Sequence, residues 1–145
     1  NSEDAKSLHG TYIECLHEHE DILWVGTDNG LYSYNEKQEN FDLLEGTNTK
    51  HILGLMNDAD GNLWYIANSA MNKYDTKTKE TVTFPTDLFF NATAILKTND
   101  NEIIAASSNE LYIYDKVSKI FKGYNLNVQG DPKLPFRINR LCLRN

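Results

Sequence analysis

The sequence predicts an all-β fold made of β-propeller blades, four antiparallel strands to a blade, about three blades plus one strand: a partial propeller. Three observations lead there. A motif returns every 40 residues, short apolar runs alternate with Asn, Asp and Gly turns, and some strands are apolar on both faces. Self-similarity at a fixed period of about 40 residues marks repeat architectures whose units stack to complete a core.

The repeat is read by aligning Trp24 to Asn35 (WVGTDNGLYSYN), Trp64 to Asp75 (WYIANSAMNKYD) and Ile104 to Asp115 (IAASSNELYIYD), each 40 residues after the last without a gap. Leu31, Met71 and Leu111 then coincide, as do Tyr34, Tyr74 and Tyr114, and Asn35, Asp75 and Asp115. Apolar pairs three apart precede each segment: Ile13 and Leu16, Ile52 and Leu55, Ala92 and Ile95, and finally Ile138 and Leu141. Their starts lie 39, 40 and 46 residues apart, the last interval stretched by a segment with Gly130, Pro132 and Pro135. The repeats are placed at about 11–50, 51–91 and 92–137, with a fourth starting at 138–145.

Within the first repeat, strand a is Ile13 to His17, strand b Leu23 to Thr27, strand c Leu31 to Tyr34, and strand d lies around Phe41 to Leu44. The turns hold Asp28-Asn29-Gly30, Asp60-Gly61, Asn68-Ser69, Asp100-Asn101 and Ser108-Asn109. Asn, Asp and Gly tolerate the positive φ of tight hairpins. No stretch has a capped 3.6-residue apolar period, so no helix is expected. In strand b of the third repeat, Ile103 and Ala105 face one way and Ile104 and Ala106 the other. A hairpin with one wet face would alternate apolar with polar, whereas a blade is covered on both sides. A stacked β-solenoid is the rival, with rungs usually much shorter than this repeat.

Composition narrows the function. The 145 residues carry 14 Lys and Arg against 21 Asp and Glu, a formal net charge of −7, so no nucleic-acid partner is expected, because phosphate affinity needs a basic surface. Hydrophobic residues at 40% and charged residues at 24% fit a folded chain, and no apolar run is long enough to span a bilayer. Beginning at Asn1 instead of Met, the sequence reads as a processed or excised piece of a longer chain. Cys15 and Cys142 lie far apart without metal-ligand spacing and read as reduced, partly buried thiols.

The first repeat, Ile13-Glu14-Cys15-Leu16 followed by DILWVGTDNGLYSYN from Asp21 to Asn35 and then Phe41, resembles the two-component regulator propeller repeat. That pattern runs roughly as an apolar strand, D-x-x-G-x-L-W-I-G-T-x-x-G-L-x-x-Y-D and a later Phe. The second repeat keeps Asp60-Gly61-Asn62-Leu63-Trp64 and Tyr74-Asp75 but has Ile66-Ala67 in place of Gly-Thr; the third keeps Asp100-Asn101, Leu111, Tyr114-Asp115 and Phe121 and has lost the Trp and Gly-Thr. The resemblance covers most of Ile13 to Tyr124. It implies the periplasmic sensing region of a hybrid two-component sensor kinase, anchored to the membrane by other parts of its parent and responding to an oligosaccharide or polysaccharide fragment. Kinase activity would lie outside this chain, and no enzyme activity or cofactor is expected within it. A fragment of a catalytic propeller, a lyase or glycosidase, and a purely structural set of blades are the alternatives.

The repeated residues read as packing devices. Trp24 and Trp64 fill the space between blades, Gly26 permits close approach beside Thr27, and Gly30 takes a positive φ. Leu31, Met71 and Leu111 belong to the core, Tyr34, Tyr74 and Tyr114 pack their rings, and Asn35, Asp75 and Asp115 cap the following turn. A ligand should instead be read by residues that differ between blades. Three motifs suggest chemistry and are read blandly: His17-Glu18-His19-Glu20-Asp21 as a strand end and its solvated polar turn, since no third metal ligand is fixed by spacing beside the His17 and His19 pair; Asp58-Ala59-Asp60-Gly61-Asn62 as a turn, because a calcium loop's distal Glu is replaced by Ser69; and Asn91-Ala92-Thr93 as a formal glycosylation sequon. No nucleophile elbow, HExxH motif or phosphate-binding Gly loop is present. With end blades exposing apolar faces and strand edges, the chain is expected to self-associate.

Overall fold

A computed structural model describes residues 8, 12–86 and 90–126. The start of a fourth repeat at 138–145, Cys142 and the Gly130, Pro132 and Pro135 insertion lie outside the described residues. Twelve strands form three four-stranded sheets, and no helix occurs among the described residues. The first sheet comprises β1 (Ile13–His19), β2 (Ile22–Thr27), β3 (Gly30–Asn35) and β4 (Asn40–Leu43). The second comprises β5 (Ile52–Asn57), β6 (Leu63–Ala67), β7 (Ala70–Tyr74) and β8 (Thr81–Phe84), and the third β9 (Ala94–Lys97), β10 (Ile103–Ala106), β11 (Glu110–Asp115) and β12 (Ile120–Asn125). Each sheet runs in chain order and every neighbouring pair is antiparallel.

The sheets meet along their first strands: β5 packs against β1 on one side and β9 on the other. Fanning from first strands is the arrangement of propeller blades. Each sheet therefore has a leading face, toward the blade before it, and a trailing face, toward the blade after it. Two bulges, between Ile13 and Cys15 and between Ile52 and Gly54, bend β1 and β5 at the same place in the repeat.

Turn chemistry sets the register. Glu20 and Asp21 (φ 52° and 62°) make the two-residue turn from β1 to β2, and Asn68 and Ser69 (φ 52° and 55°) that from β6 to β7. Consecutive positive φ values match the twist of the flanking strands. Gly30 sits at φ 133°, and the Thr27 hydroxyl donates to its carbonyl oxygen at 2.9 Å. Strand a of the first repeat runs two residues past His17, to His19, because the turn needs only Glu20 and Asp21. In the third repeat Ala92 precedes β9 and is buried without belonging to it.

Candidate functional site

Two seams join the three blades, and Trp24, Leu31, Trp64, Met71 and Tyr74 of the repeated residues are buried in them. At the first seam Trp24 and Leu31 of the first sheet are buried against Ile52, Leu55, Leu63, Tyr65 and Tyr74 of the second. Trp24 meets Tyr74 edge-on, with ring centroids 5.9 Å apart. At the second seam Trp64, Ile66 and Met71 are buried with Ile95, Ile103, Ala105, Tyr112 and Phe121 of the third sheet. Trp64 lies 6.3 Å from Tyr114 and 5.8 Å from Phe121, and stacks on Phe84 of its own sheet at 5.1 Å. The tryptophan of one blade thus reaches the tyrosine of the next in both seams. Leu111 lies in a third cluster with Ile104 and Ile113, on the trailing face of the third sheet, and Tyr34 packs on Phe41 at 5.0 Å.

Gly26 is where the first seam is tightest. A Cβ there would fall 2.5 Å from Cys15 Sγ and 2.8 Å from Ile52 Cγ2. Burial pushes the Cys15 thiol up to about 11, with neighbouring Glu14 adding to the shift, so the sulfur is an unreactive packing group near neutral pH.

The caps share one geometry. Asn35 Oδ1 accepts from the Lys37 and Gln38 amides, and Asp75 Oδ1 from Lys77 (2.8 Å) and Thr78 (3.1 Å). Asp115 accepts from Val117 and Ser118 and lies 3.3 Å from Lys122 Nζ. Amide bonds from Thr78 and Lys77 hold Asp75 below its ordinary value, and the Ser118 hydroxyl and amide, with Lys122 behind them, hold Asp115 at about 2.

Asp58 is a turn residue with an added task. It accepts from the Asp60 and Asn62 amides and the Asn62 side chain, each at 2.9 Å, and from Trp64 Nε1 at 2.8 Å. Burial alone would raise its pKa; the Asn62 and Trp64 bonds outweigh that and lower it. The strand register places His19 at the equivalent point of the first blade, since Glu18 pairs with Leu23 as Asn57 pairs with Leu63. Trp24 Nε1 is buried without a hydrogen-bond partner among the described residues.

Glu20 and Asp21 form the turn expected of the His17-to-Asp21 stretch, but His17 and His19 depart from the solvated setting expected of them. Both imidazoles are half-buried on the trailing face: His17 Nε2 lies 2.8 Å from Asn57 Oδ1 and His19 Nε2 3.3 Å from the Gly61 carbonyl oxygen. A continuing strand, in place of a turn, aims them at the second blade. His51 Nε2 crosses the same seam to Glu14 Oε1 at 2.8 Å. No group of three metal-ligating side chains occurs among the described residues. Asn91 of the sequon accepts from the buried Tyr112 hydroxyl at 2.7 Å, and that hydroxyl also meets the Glu110 carboxylate.

An open groove of about 390 Å³ lies on the third sheet, lined by Glu102, Ile113, Tyr114, Asp115, Lys116, Lys122 and Tyr124. Its volume falls within the range of small-molecule sites, and it offers carboxylates, ammonium groups and phenols together. By the 40-residue offset, Lys122 corresponds to Val82 and Asp42, Tyr124 to Phe84 and Leu44, and Ile113 to Lys73 and Ser33. These residues differ between blades, a signal visible in the sequence once strand register is known.

No protein-family model and no curated protein sequence matches the chain. Solved structures do. An extracellular domain described as part of a hybrid two-component system of B. thetaiotaomicron superposes with a TM-score of 0.70 at 25% identity, covering 83% of this chain and 17% of that one. The chain has the fold of such extracellular domains. A second such domain from the same organism superposes at a TM-score of 0.65 with 19% identity, covering 90% of this chain and 17% of its own. A protein described as an auxiliary nutrient binding protein of Bacteroides thetaiotaomicron superposes at 0.62 with 15% identity, covering 80% of this chain and 32% of its own. The chain spans about a sixth of the length of the two-component domains. The two-component domains are of the kind that the sequence resemblance names.

Proposed function

We propose that the chain is part of an extracytoplasmic sensing and interaction module of a hybrid two-component protein, and that it responds to an oligosaccharide or polysaccharide fragment. The repeats at 11–50, 51–91 and 92–137 serve as successive blades of a larger propeller, with 138–145 opening the next. The module sits in the bacterial periplasm, in a parent anchored to the membrane by other segments, and any kinase activity belongs to that parent. Trp24, Gly26, Thr27, Gly30, Leu31, Tyr34, Trp64, Met71, Tyr74, Asp75, Leu111, Tyr114 and Asp115 act as packing and capping positions, and of these Tyr114 and Asp115 also line the groove. In isolation the chain covers its end faces by self-association.

One observation carries the ligand reading: the groove gathers Lys122, Tyr124, Lys116 and Glu102 at positions where the blades differ, on the trailing face of the third sheet, so that the ligand would lie in the seam with the following blade. Aromatic rings and paired charges suit a saccharide, whose apolar ring face and hydroxyls need both. The test is a melting-temperature screen of the chain against neutral and uronic-acid oligosaccharides. A shift without turnover, lost in Tyr124→Ala, is expected. Cleavage of any glycan by the purified chain would establish the catalytic alternative, and a shift unchanged in Tyr124→Ala would move the site elsewhere.

A further inference from the structure

The first blade leaves two surfaces uncovered. Its leading face, with Leu16 60% and Leu23 37% exposed, is an end face of the blade set. Its outer edge, β4, is a separate surface. The Leu44 amide donates to the Leu31 carbonyl oxygen at 2.7 Å, which fixes the alternation of bonds between β3 and β4. Asn40 and Asp42 therefore bond toward β3, and the backbone N–H and C=O groups of Phe41 and Leu43 point away from the sheet. Neither residue has a backbone partner on that side among the described residues. The third blade shows what such an edge accepts. Phe121 holds the register place of Phe41, opposite Tyr114 as Phe41 is opposite Tyr34. Its amide donates to the Pro85 carbonyl oxygen at 3.0 Å, and Thr86 bridges it in parallel. The extended segment that follows β8 thus runs beside β12.

Charge selects the occupant of β4. Residues 12–50 carry nine carboxylates against two lysines, whereas 51–86 carry four against three and 90–126 four against four. Glu39, Asp42 and Glu45, on or next to β4, are all exposed. On the strand itself Phe41 packs on Tyr34 and Leu43, 41% exposed, shares its face, while Asp42 stands on the opposite one. An added strand continues both faces of a sheet, so apolar side chains beside Phe41 and Leu43 would alternate with cationic ones beside Asp42. We infer that the outer edge of β4 takes up, in parallel pairing, an extended segment of a partner protein in which lysine or arginine alternates with apolar residues. In strand addition of this kind main-chain hydrogen bonds supply affinity and alternate side chains supply selectivity. A second copy is repelled, since edge-to-edge pairing sets Asp42 and its acidic neighbours against one another. The chain's own Ala5-Lys6, which matches Pro85-Thr86 by an offset of 80 residues, brings Glu3 and Asp4 with it and meets the same repulsion. The β8 edge, preceded by Lys79 and Glu80, lacks the acidic flank.

Amide NMR titration of the full chain with a capped peptide of alternating lysine and valine tests this. Shifts should gather at Phe41, Asp42 and Leu43 and spare Thr81 to Phe84. Parallel pairing in the manner of Thr86 with Phe121 turns the lysine amides of the peptide toward β4 and the valine amides toward solvent. N-methylation at the lysines should therefore weaken binding about tenfold or more, and N-methylation at the valines, which leaves the same charge, should not. Asp42→Lys should weaken the peptide about fivefold. Leu43→Pro removes an outward N–H and no bond to β3, and should weaken it too; should that variant unfold, Asp42→Lys and the methylated peptides still decide the matter. Equal affinity of the two methylated peptides, shifts at β8, insensitivity to Asp42→Lys, or equal binding of an alternating glutamate and valine peptide would overturn the inference. Nuclear Overhauser contacts of the Phe41 amide with Ala5 or Lys6 in the free chain would overturn it in favour of the chain's own first segment. The saccharide groove lies on the third sheet, so its failure is read separately in the melting screen.

Discussion

The two seams between blades are built from different chemistry. The second is an aromatic cluster: Trp64, Phe84, Tyr114 and Phe121 lie within 5.1 to 6.3 Å of one another by centroid, and the Trp64 indole N–H is satisfied by Asp58. The first has one ring pair, Trp24 with Tyr74, an indole N–H left without a partner among the described residues, and a polar stitch of His17, His19 and His51. Repeated blades need to match in shape, and the chemistry filling the gap is free to vary. Burial of large rings contributes more than exposed polar pairs, so the second seam should be the stronger.

Trp64→Ala is the most direct way to break that comparison. It should cost about 3–5 kcal/mol in denaturant unfolding, as large-to-small core substitutions do. Trp24→Ala should cost clearly less, because it removes one ring contact and an unpartnered N–H. Equal losses would mean that the seams are energetically alike. Backbone approach sharpens the contrast in the opposite sense. Gly26→Ala puts a methyl 2.5 Å from Cys15 Sγ and should cost about 1–3 kcal/mol. Gly54→Ala meets Ile95 Cγ1 at 3.2 Å and should cost less, which melting temperatures of the two variants would show.

Asp58 ties the second seam to pH. Its folded pKa is lowered below 3.8, so its contribution is present above that value and is lost as pH falls through the folded pKa. Asp58→Ala should destabilise at neutral pH by about 1–3 kcal/mol, and the difference from wild type should shrink on acidification below pH 3.8. A difference constant across that range would deny the carboxylate its role. The smallest effect should come from the first seam's polar stitch. His51→Ala removes an exposed ion pair with Glu14 and should change stability by less than about 1 kcal/mol in the same unfolding assay.

Much of the fold was legible because a repeat makes each blade evidence for the others. The offset of 40 residues aligned Trp24 with Trp64 and Tyr34 with Tyr74 and Tyr114, and Asn, Asp and Gly marked the turns, among them Asn68, Asn101, Gly30 and Gly61 at positive φ, although Glu39, Lys79 and Lys119 take it as well. His17 was expected to end strand a and His19 to enter a solvated turn; Glu20 and Asp21, both at positive φ, suffice for that turn, so the strand runs on and both imidazoles face the second blade. The groove on the third sheet was not legible, since Glu102, Ile113 and Lys122 come together only through the pairing of β10, β11 and β12.

The sequence by itself determined the all-β class, the repeat and its turns, because hydrophobic period and turn preference are local properties of the chain. Tertiary structure alone decided which face of each sheet meets a neighbour. It also decided that Asp58 satisfies one tryptophan while the other goes without, and that the apolar face of the first sheet is open. Those outcomes depend on how whole sheets are placed against one another, and no residue's own preference encodes that distance.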